Sequence, residues 1–309
     1  MPADGMSKTL ISIVGPTAVG KTALAIQVAQ HLNTEIISAD SRQFFKEMEI
    51  GTAKPSFEEL SAAPHHFINS HHITAFFSTG DFEVQAMQVL TSLFKTKDEV
   101  VMCGGSGLYV NAVLNGLDDL PATDLSIRAA LNDRFQAEGL GGIKAELALL
   151  DPEYYAQVDQ FNTQRVIRGL EFVLSTGKKL SSFQQNSKKS RPFNILKVGL
   201  NKDRQELYTQ INKRVDQMME KGLLEEVKGL LPYRELNALK TVGYAELFDY
   251  LDGNCSLAEA VDKIKQNTRR FAKRQLTWFR RDEEIKWFEP EQTTEILAYI
   301  DQYRSSQII

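Results

Sequence analysis

Cysteine is scarce in this chain, and where it occurs it stands alone. Cys103 and Cys255 belong to no CxxC pair and to no metal-ligand spacing, which suits a reducing compartment. Long apolar runs are missing too. No stretch approaches the length that crosses a bilayer, and the leader MPADGMSKT has no hydrophobic segment of signal-peptide length. A cytoplasmic protein with no membrane partner is expected. Nor is there an excess of positive charge. Against 36 Lys and Arg stand 40 Asp and Glu, a formal balance of −4, so any nucleic-acid partner must be gripped by a local patch. A 42% hydrophobic and 25% charged composition excludes disordered and fibrous classes. Internal repeats and low-complexity tracts are absent, and 309 residues suffice for one large domain or two modest ones.

What is present is, first, a phosphate-wrapping loop. Gly15, Pro16, Thr17, Ala18, Val19, Gly20, Lys21 and Thr22 spell GPTAVGKT, which fits G-x-x-x-x-G-K-[ST]. The apolar run Leu10–Val14 ahead of it suits a buried strand. Behind it, Leu24, Ala25, Val28, Ala29 and Leu32 recur at helical spacing. In that setting the glycines let backbone amides curl around phosphate oxygens at a helix N-terminus. Lys21 then supplies a charge for the outer phosphate, and Thr22 a hydroxyl for Mg²⁺.

Two more strand ends carry polar residues. Glu35–Ala39 runs into Asp40, Ser41, Arg42 and Gln43, and Glu99–Met102 runs towards Gly104-Gly105-Ser106-Gly107. Alternating strands and helices predict a parallel sheet, with ligands at the C-terminal strand ends. From about Leu120 to Lys189 the pattern is helical only. It includes an Asp151-Pro152 helix start and an amphipathic stripe of Val166, Ile167, Leu170, Val173 and Leu174 that stops near Gly177. The polar segment Ser181–Arg191 has no hydrophobic face and reads as a mobile linker. Strand character returns at Ile195–Leu200. The expected architecture is α/β, a P-loop nucleoside-triphosphate-hydrolase-like parallel sheet core with an inserted all-helical domain. The core is residues 1–119 with 190–309, and the insertion is 120–189.

Three features bear on partners. Asp203 and Glu206 open a helix whose buried stripe, Leu207, Ile211, Val215 and Met218, shares its face with Arg214. A guanidinium there must meet an anion, either an internal carboxylate or a ligand phosphate. From Lys263 to Arg281 the chain holds eight basic residues and no acidic one. At about 100° per residue, Arg269, Arg270, Lys273, Arg274, Arg280 and Arg281 share less than half the circumference, which favours a phosphate backbone over a merely solvated face. Phe271 and Trp278 are expected to turn towards the core and pack there. His65-His66 and His71-His72 hold four of the five histidines, but no cysteine or carboxylate set accompanies them, so zinc is not expected.

Together these residues resemble the tRNA dimethylallyltransferases, or isopentenyl-diphosphate:tRNA transferases. The resemblance covers nearly the whole chain. It runs through GPTAVGKT, ISADSRQ (Ile37–Gln43), IGTAKP (Ile50–Pro55), PHHFI (Pro64–Ile68) and GGSGLY (Gly104–Tyr109). It continues through QRVIRGLE (Gln164–Glu171), TGKKLS (Thr176–Ser181), VGYAEL (Val242–Leu247) and TRRFAKRQLTWFR (Thr268–Arg280). It implies transfer of a dimethylallyl group from dimethylallyl diphosphate to N6 of the adenosine 3′-adjacent to the anticodon in tRNA. The loop would hold the donor's diphosphate, with Mg²⁺ at Thr22, and Lys21 and Arg214 would neutralise the leaving group. Asp40 would be the general base. Asp40, Ser41, Arg42, Gln43 and Ser106 would meet the tRNA, as would Gln164, Arg165, Val166, Ile167 and Arg168, and Lys273, Arg274, Gln275 and Arg280. Ser106 stands where relatives carry Thr, Phe67-Ile68-Asn69 where they carry Leu-Ile-Asp, and Lys240 and Ala245 where they carry Gln and a basic residue. Val19 is a mild variation in the loop. A short bacterial form acting as a monomer is expected.

Two other function classes compete. A P-loop kinase would use the same core, but Glu99–Met102 leads into Cys-Gly-Gly, without the acidic residue of a Walker B strand. An RNA-binding module with a structural nucleotide would need no base at Asp40.

Overall fold

The computed structural model describes residues 8–184 and 188–307. β1 (Thr9–Val14) leads through the glycine loop into α1 (Lys21–His31). β2 (Ile36–Ser38), α2 (Phe57–Ala62) and the two-residue β3 (His65–His66) follow. Then come α3 (Thr79–Leu93), β4 (Glu99–Gly104) and α4 (Gly107–Asn115). α5 (Leu125–Glu138), α6 (Gly141–Leu150), α7 (Pro152–Gln157) and α8 (Thr163–Thr176) form a purely helical stretch. β5 (Asn194–Leu200) resumes the sheet, followed by α9 (Arg204–Glu220), α10 (Leu223–Gly229) and α11 (Tyr244–Leu251). α12 (Leu257–Phe279), β6 (Lys286–Phe288) and α13 (Thr293–Ser306) complete the described chain. None of these helices is long and apolar enough to cross a membrane.

Among the described residues the strands pair in the order β3-β2-β4-β1-β5-β6, every pair parallel. A parallel sheet is covered on both faces, so its central strand reads as an almost unbroken apolar run. β1, TLISIV, is buried throughout. Its alternate residues serve different faces. Ile11 and Ile13 join a cluster with Val28, Leu207, Ile211 and Ile300, whereas Leu10 and Val14 join Phe82, Leu90 and Val110. The C-terminal ends of β1, β2 and β4 lie side by side, which brings the glycine loop, residues 39–43 and the loop after Gly104 together.

Gly116–Lys189 forms a compact unit of its own, and the rest of the chain forms the other. The boundary falls at Gly116 rather than Leu120. This second unit has its own core of Ile143, Leu147, Tyr154, Ile167, Leu170 and Phe172. Asp151 caps α7 by accepting from the Tyr154 amide at 3.2 Å, and Asn162 caps α8 separately. The helix start at Asp151-Pro152 therefore belongs to a short helix before the amphipathic one. The expected linker is corrected in part. Leu180–Phe183 is a 3-10 helix, because Asp151 has acceptor capacity left for the Ser181 amide (3.0 Å) and hydroxyl (2.6 Å). Residues 185–187 of that segment, and 1–7 of the leader, lie outside the described residues.

Gly104 is where β4 meets the end of β2, and a β-carbon there would collide with the Ala39 carbonyl. Gly104→Ala should lower stability by about 1–3 kcal/mol, as overpacking does in a close-packed interior. A denaturant midpoint unchanged from wild type would show that the two strand ends have room to spare.

Candidate active site

The glycine loop is shaped by backbone that only small residues adopt easily. Gly15 has φ +150°, and a side chain there would sit 2.5 Å from the Leu200 oxygen. Gly20, at φ 105°, ends the loop as the N-cap of α1. Between them Ala18 is held at φ 63°, a left-handed conformation that disfavours alanine by about 1–2 kcal/mol. Such strain marks functional loops. The pattern G-x-x-x-x-G-K-[ST] does not disclose it.

The loop borders a cavity of about 900 Å³, a volume suited to a small ligand. Lys21 and Thr22 line it from the start of α1, Asp40 from the turn after β2, Cys103 from the end of β4 and Arg214 from α9. Lys21 Nζ donates to the Pro16 oxygen at 2.7 Å. Burial lowers its pKa to about 8, against the pull of Cys103 and Asp40. Arg214 donates to the Ala53 oxygen at 3.3 Å and sits 3.5 Å from the Thr17 hydroxyl. Burial likewise lowers its pKa, with Asp40 and Glu59 working the other way. Among the described residues no carboxylate forms an ion pair with Arg214 or Lys21. Of the two anions open to Arg214, the internal one is thus missing, and both cations face the cavity short of negative charge. Asp40 itself is tied at one oxygen, which accepts from the Arg42 amide at 3.0 Å.

Several residues expected at tRNA hydrogen-bond within the protein. Ser106 Oγ accepts from the Ser41 amide (3.1 Å) and donates to the Ser41 hydroxyl (3.2 Å). Gln43 donates to the Thr52 and Ala53 oxygens (3.2 and 3.3 Å) and accepts from Ser38 (3.3 Å). Gln275 is buried, accepting from the Thr17 amide (2.8 Å) and donating to the Gly105 oxygen (2.9 Å). A side chain at Gly105 would strike Gln275, and one at Gly107 would strike Trp278. The glycines after β4 therefore admit α12 rather than cradle a phosphate. Arg42 lies against Asp40 and Tyr109, its pKa lowered by burial, and its Nε has no partner among the described residues.

α12 presents its basic residues as expected. Arg270, Lys273, Arg274, Arg280 and Arg281 are exposed, and none is ion-paired among the described residues. Arg269 is engaged, donating to Asn212 at 2.6 Å. The aromatics are a correction. Phe271 and Trp278 are 38% and 40% exposed, because the buried stripe is instead Ala260, Ile264, Ala272, Gln275 and Phe279. Phe271 lines the cavity, with the Arg274 guanidinium 5.7 Å from its ring. On α8, Gln164 and Arg165 are exposed. Arg168 pairs with Glu171 (3.2 Å) and donates to Thr123 (2.8 Å). The side chains of Val166 and Ile167 belong to the core of the helical unit and are fully buried.

The histidines go separate ways. His66 meets Glu35 at 2.7 Å, His72 meets Glu47 at 2.8 Å, and His71 stacks on Phe77. His65 lines the cavity, bonded to the Ala63 oxygen. Among the described residues no three His, Cys, Asp or Glu are grouped to hold a metal.

The family model described as IPP transferase matches residues 43–282. The chain belongs to the IPP transferase family. Its similarity to named members runs nearly end to end. It is 51% identical to tRNA dimethylallyltransferase 1 of Bacteroides thetaiotaomicron, over 94% of this chain and 95% of that one. It is 54% identical to tRNA dimethylallyltransferase of Christiangramia forsetii, over 96% and 98%. The fold resembles the crystal structure of a tRNA isopentenylpyrophosphate transferase from Bacillus halodurans, with a TM-score of 0.73 and 38% identity over 97% of this chain and 98% of that one. A eukaryotic dimethylallyltransferase acting on tRNA gives 0.75 at 29% identity, over 88% and 70%. The P-loop-like core of this IPP transferase thus follows the expected fold class.

Lys21 carries its charge below about pH 8 and loses it above. Affinity for inorganic diphosphate, titrated calorimetrically between pH 7 and 9.5, should therefore fall as pH rises through that value. Lys21→Met should bind weakly throughout and lose this dependence; a retained alkaline fall would assign it to another group.

Proposed function

We propose that this IPP transferase moves a dimethylallyl group from dimethylallyl diphosphate to N6 of the adenosine 3′-adjacent to the anticodon in tRNA, releasing diphosphate. The observation that carries this reading is the meeting of the Asp40 carboxylate with two buried cations that form no ion pair among the described residues, Lys21 and Arg214, around one cavity. N6 attacks the allylic carbon as the carbon–oxygen bond to diphosphate breaks, and Asp40 takes the amine proton. Lys21, Arg214 and the loop amides receive the charge that builds on the departing oxygen, where preorganised dipoles and charges count most. The adenosine must leave its stack to reach Asp40.

The donor set fits Mg²⁺ in the way that ion is usually held, by one or two protein oxygens together with substrate phosphates and water. The Thr22 hydroxyl would supply the protein ligand, and the ion would add positive charge at the diphosphate. Phosphoryl transfer from ATP is disfavoured by the end of β4. Cys103 stands there, and burial pushes its thiol up to about 11, so it offers no anion to a metal. The exposed face of α12 suits the tRNA phosphate backbone, and Gln164 and Arg165 offer a separate polar contact from the helical unit. We take one chain as the working unit and the cytoplasm as its place.

Incubation with unmodified tRNA, dimethylallyl diphosphate and Mg²⁺, followed by nucleoside mass analysis, should yield prenylated adenosine, with no ADP formed when ATP replaces the donor. ADP without prenyl transfer would make the chain a kinase. Asp40→Ala should cut kcat about a hundredfold or more, the usual worth of a positioned base, with tRNA affinity unchanged; a kcat near wild type removes Asp40 from that role. Neutralising Arg270, Lys273 and Arg280 together should reduce the slope of log K for tRNA against log salt by about two to three. An unaltered slope would leave α12 a solvated surface.

A further inference from the structure

The loop from Glu49 to Ala53 has no part in the chemistry above, yet two cavity residues hang on it. Its carbonyls at Thr52 and Ala53 hold the Gln43 amide, and Ala53 also holds Arg214. Without those acceptors the Arg214 guanidinium keeps only its long contact to Thr17.

The loop is fixed from outside the cavity by one carboxylate. Glu226, on α10, accepts from the Glu49 amide at 3.0 Å and the Ile50 amide at 2.6 Å through one oxygen. Its other oxygen accepts from the Gly51 amide at 3.1 Å and the Tyr244 hydroxyl at 2.7 Å. Three successive amides converging on an anion form a nest of the kind that ordinarily binds phosphate. Here the anion is the protein's own. Tyr244 is fully buried, and a side chain on Gly51 would lie 2.6 Å from its ring. The segments IGTAKP and VGYAEL thus meet at this one point, each requiring the other's shape.

We propose that Glu226 is a positioning residue for the transfer reaction. By gathering the amides of residues 49–51 it holds the Ala53 carbonyl where it aims Arg214 at the leaving diphosphate. The proposal rests on the transferase reading and on the role given there to Arg214. In Glu226→Gln one acceptor oxygen becomes an NH₂ group facing either two amides or an amide and a hydroxyl. The loop then loses its hold while the size of the side chain is kept.

The test is steady-state transfer with unmodified tRNA and dimethylallyl diphosphate. Wild type comes first, because failure there removes the transferase reading itself. Glu226→Gln should lower kcat/KM for the donor about 10- to 100-fold and weaken inhibition by inorganic diphosphate by a similar factor. The tRNA dissociation constant, measured directly, should stay within about twofold. Tyr244→Phe removes one of the four bonds and should act in the same direction, by about two- to fivefold. A double-mutant cycle with Arg214→Ala separates positioning from general support. In that background Glu226→Gln should change kcat/KM by no more than about threefold. Full additivity, or a loss confined to melting temperature and the fraction of active protein, would overturn the proposal and leave Glu226 a structural clamp.

Discussion

With its oxygen on the Thr17 amide and its nitrogen on the Gly105 carbonyl, the Gln275 side chain joins the phosphate loop to the loop after β4. It does so from within the basic helix. The two glycines that meet α12 leave no β-carbon to keep that helix away. Buried and satisfied at both ends, the amide fixes two loops whose spacing sets the cavity. Removing the amide would leave the Thr17 N–H and the Gly105 carbonyl without this partner, a loss of about 1–3 kcal/mol for each buried group left unpaired. The same helix carries the exposed cations, so the surface suited to RNA and the loop suited to diphosphate are parts of one rigid connection.

The cavity carries electrostatic tension. Lys21 and Arg214 are desolvated, and their nearest compensation comes from backbone oxygens and from Asp40 at a distance. A protein optimised for stability alone would pair such groups, since burying an unpaired charge is expensive. In the proposed reaction the donor's diphosphate would complete the pairing. A diphosphate entering the cavity would meet charges already buried there, the condition under which electrostatic stabilisation of a leaving group costs least reorganisation.

Much of this was legible in the chain. The glycine loop between an apolar strand and an amphipathic helix, the polar residues at the ends of β2 and β4, and the basic stripe all follow from local pattern. What pattern could not reveal is where a polar side chain spends its hydrogen bonds. Gln43, Ser106 and Gln275, which the resemblance puts at tRNA, each also satisfy a partner within their own unit, far off along the chain in the case of Gln275. Phe271 and Trp278 fall outside the core because the buried stripe of α12 runs through Ala260, Ile264, Ala272, Gln275 and Phe279, and the small Ala272 and polar Gln275 in it weigh little beside two large aromatics in a hydrophobicity pattern. Three-residue β6 and two-residue β3 are too short to show any period. Glu226 carried no signal at all, since an acidic residue in an exposed-looking helix is ordinary until the three amides facing it are known.

The link between Thr17 and Gln275 spans 258 residues, and this separation orders events in the life of each molecule. On the ribosome the phosphate loop and the turn bearing Asp40 emerge early, followed by the helical unit, whose core is complete within its own contiguous stretch. The glutamine that locks the loops arrives only with the last helices. A nascent or truncated chain ending before α12 thus carries Asp40 and Lys21 but lacks both the Gln275 link and the exposed cations. Only the chain that includes α12 can therefore join the two loops bordering the cavity.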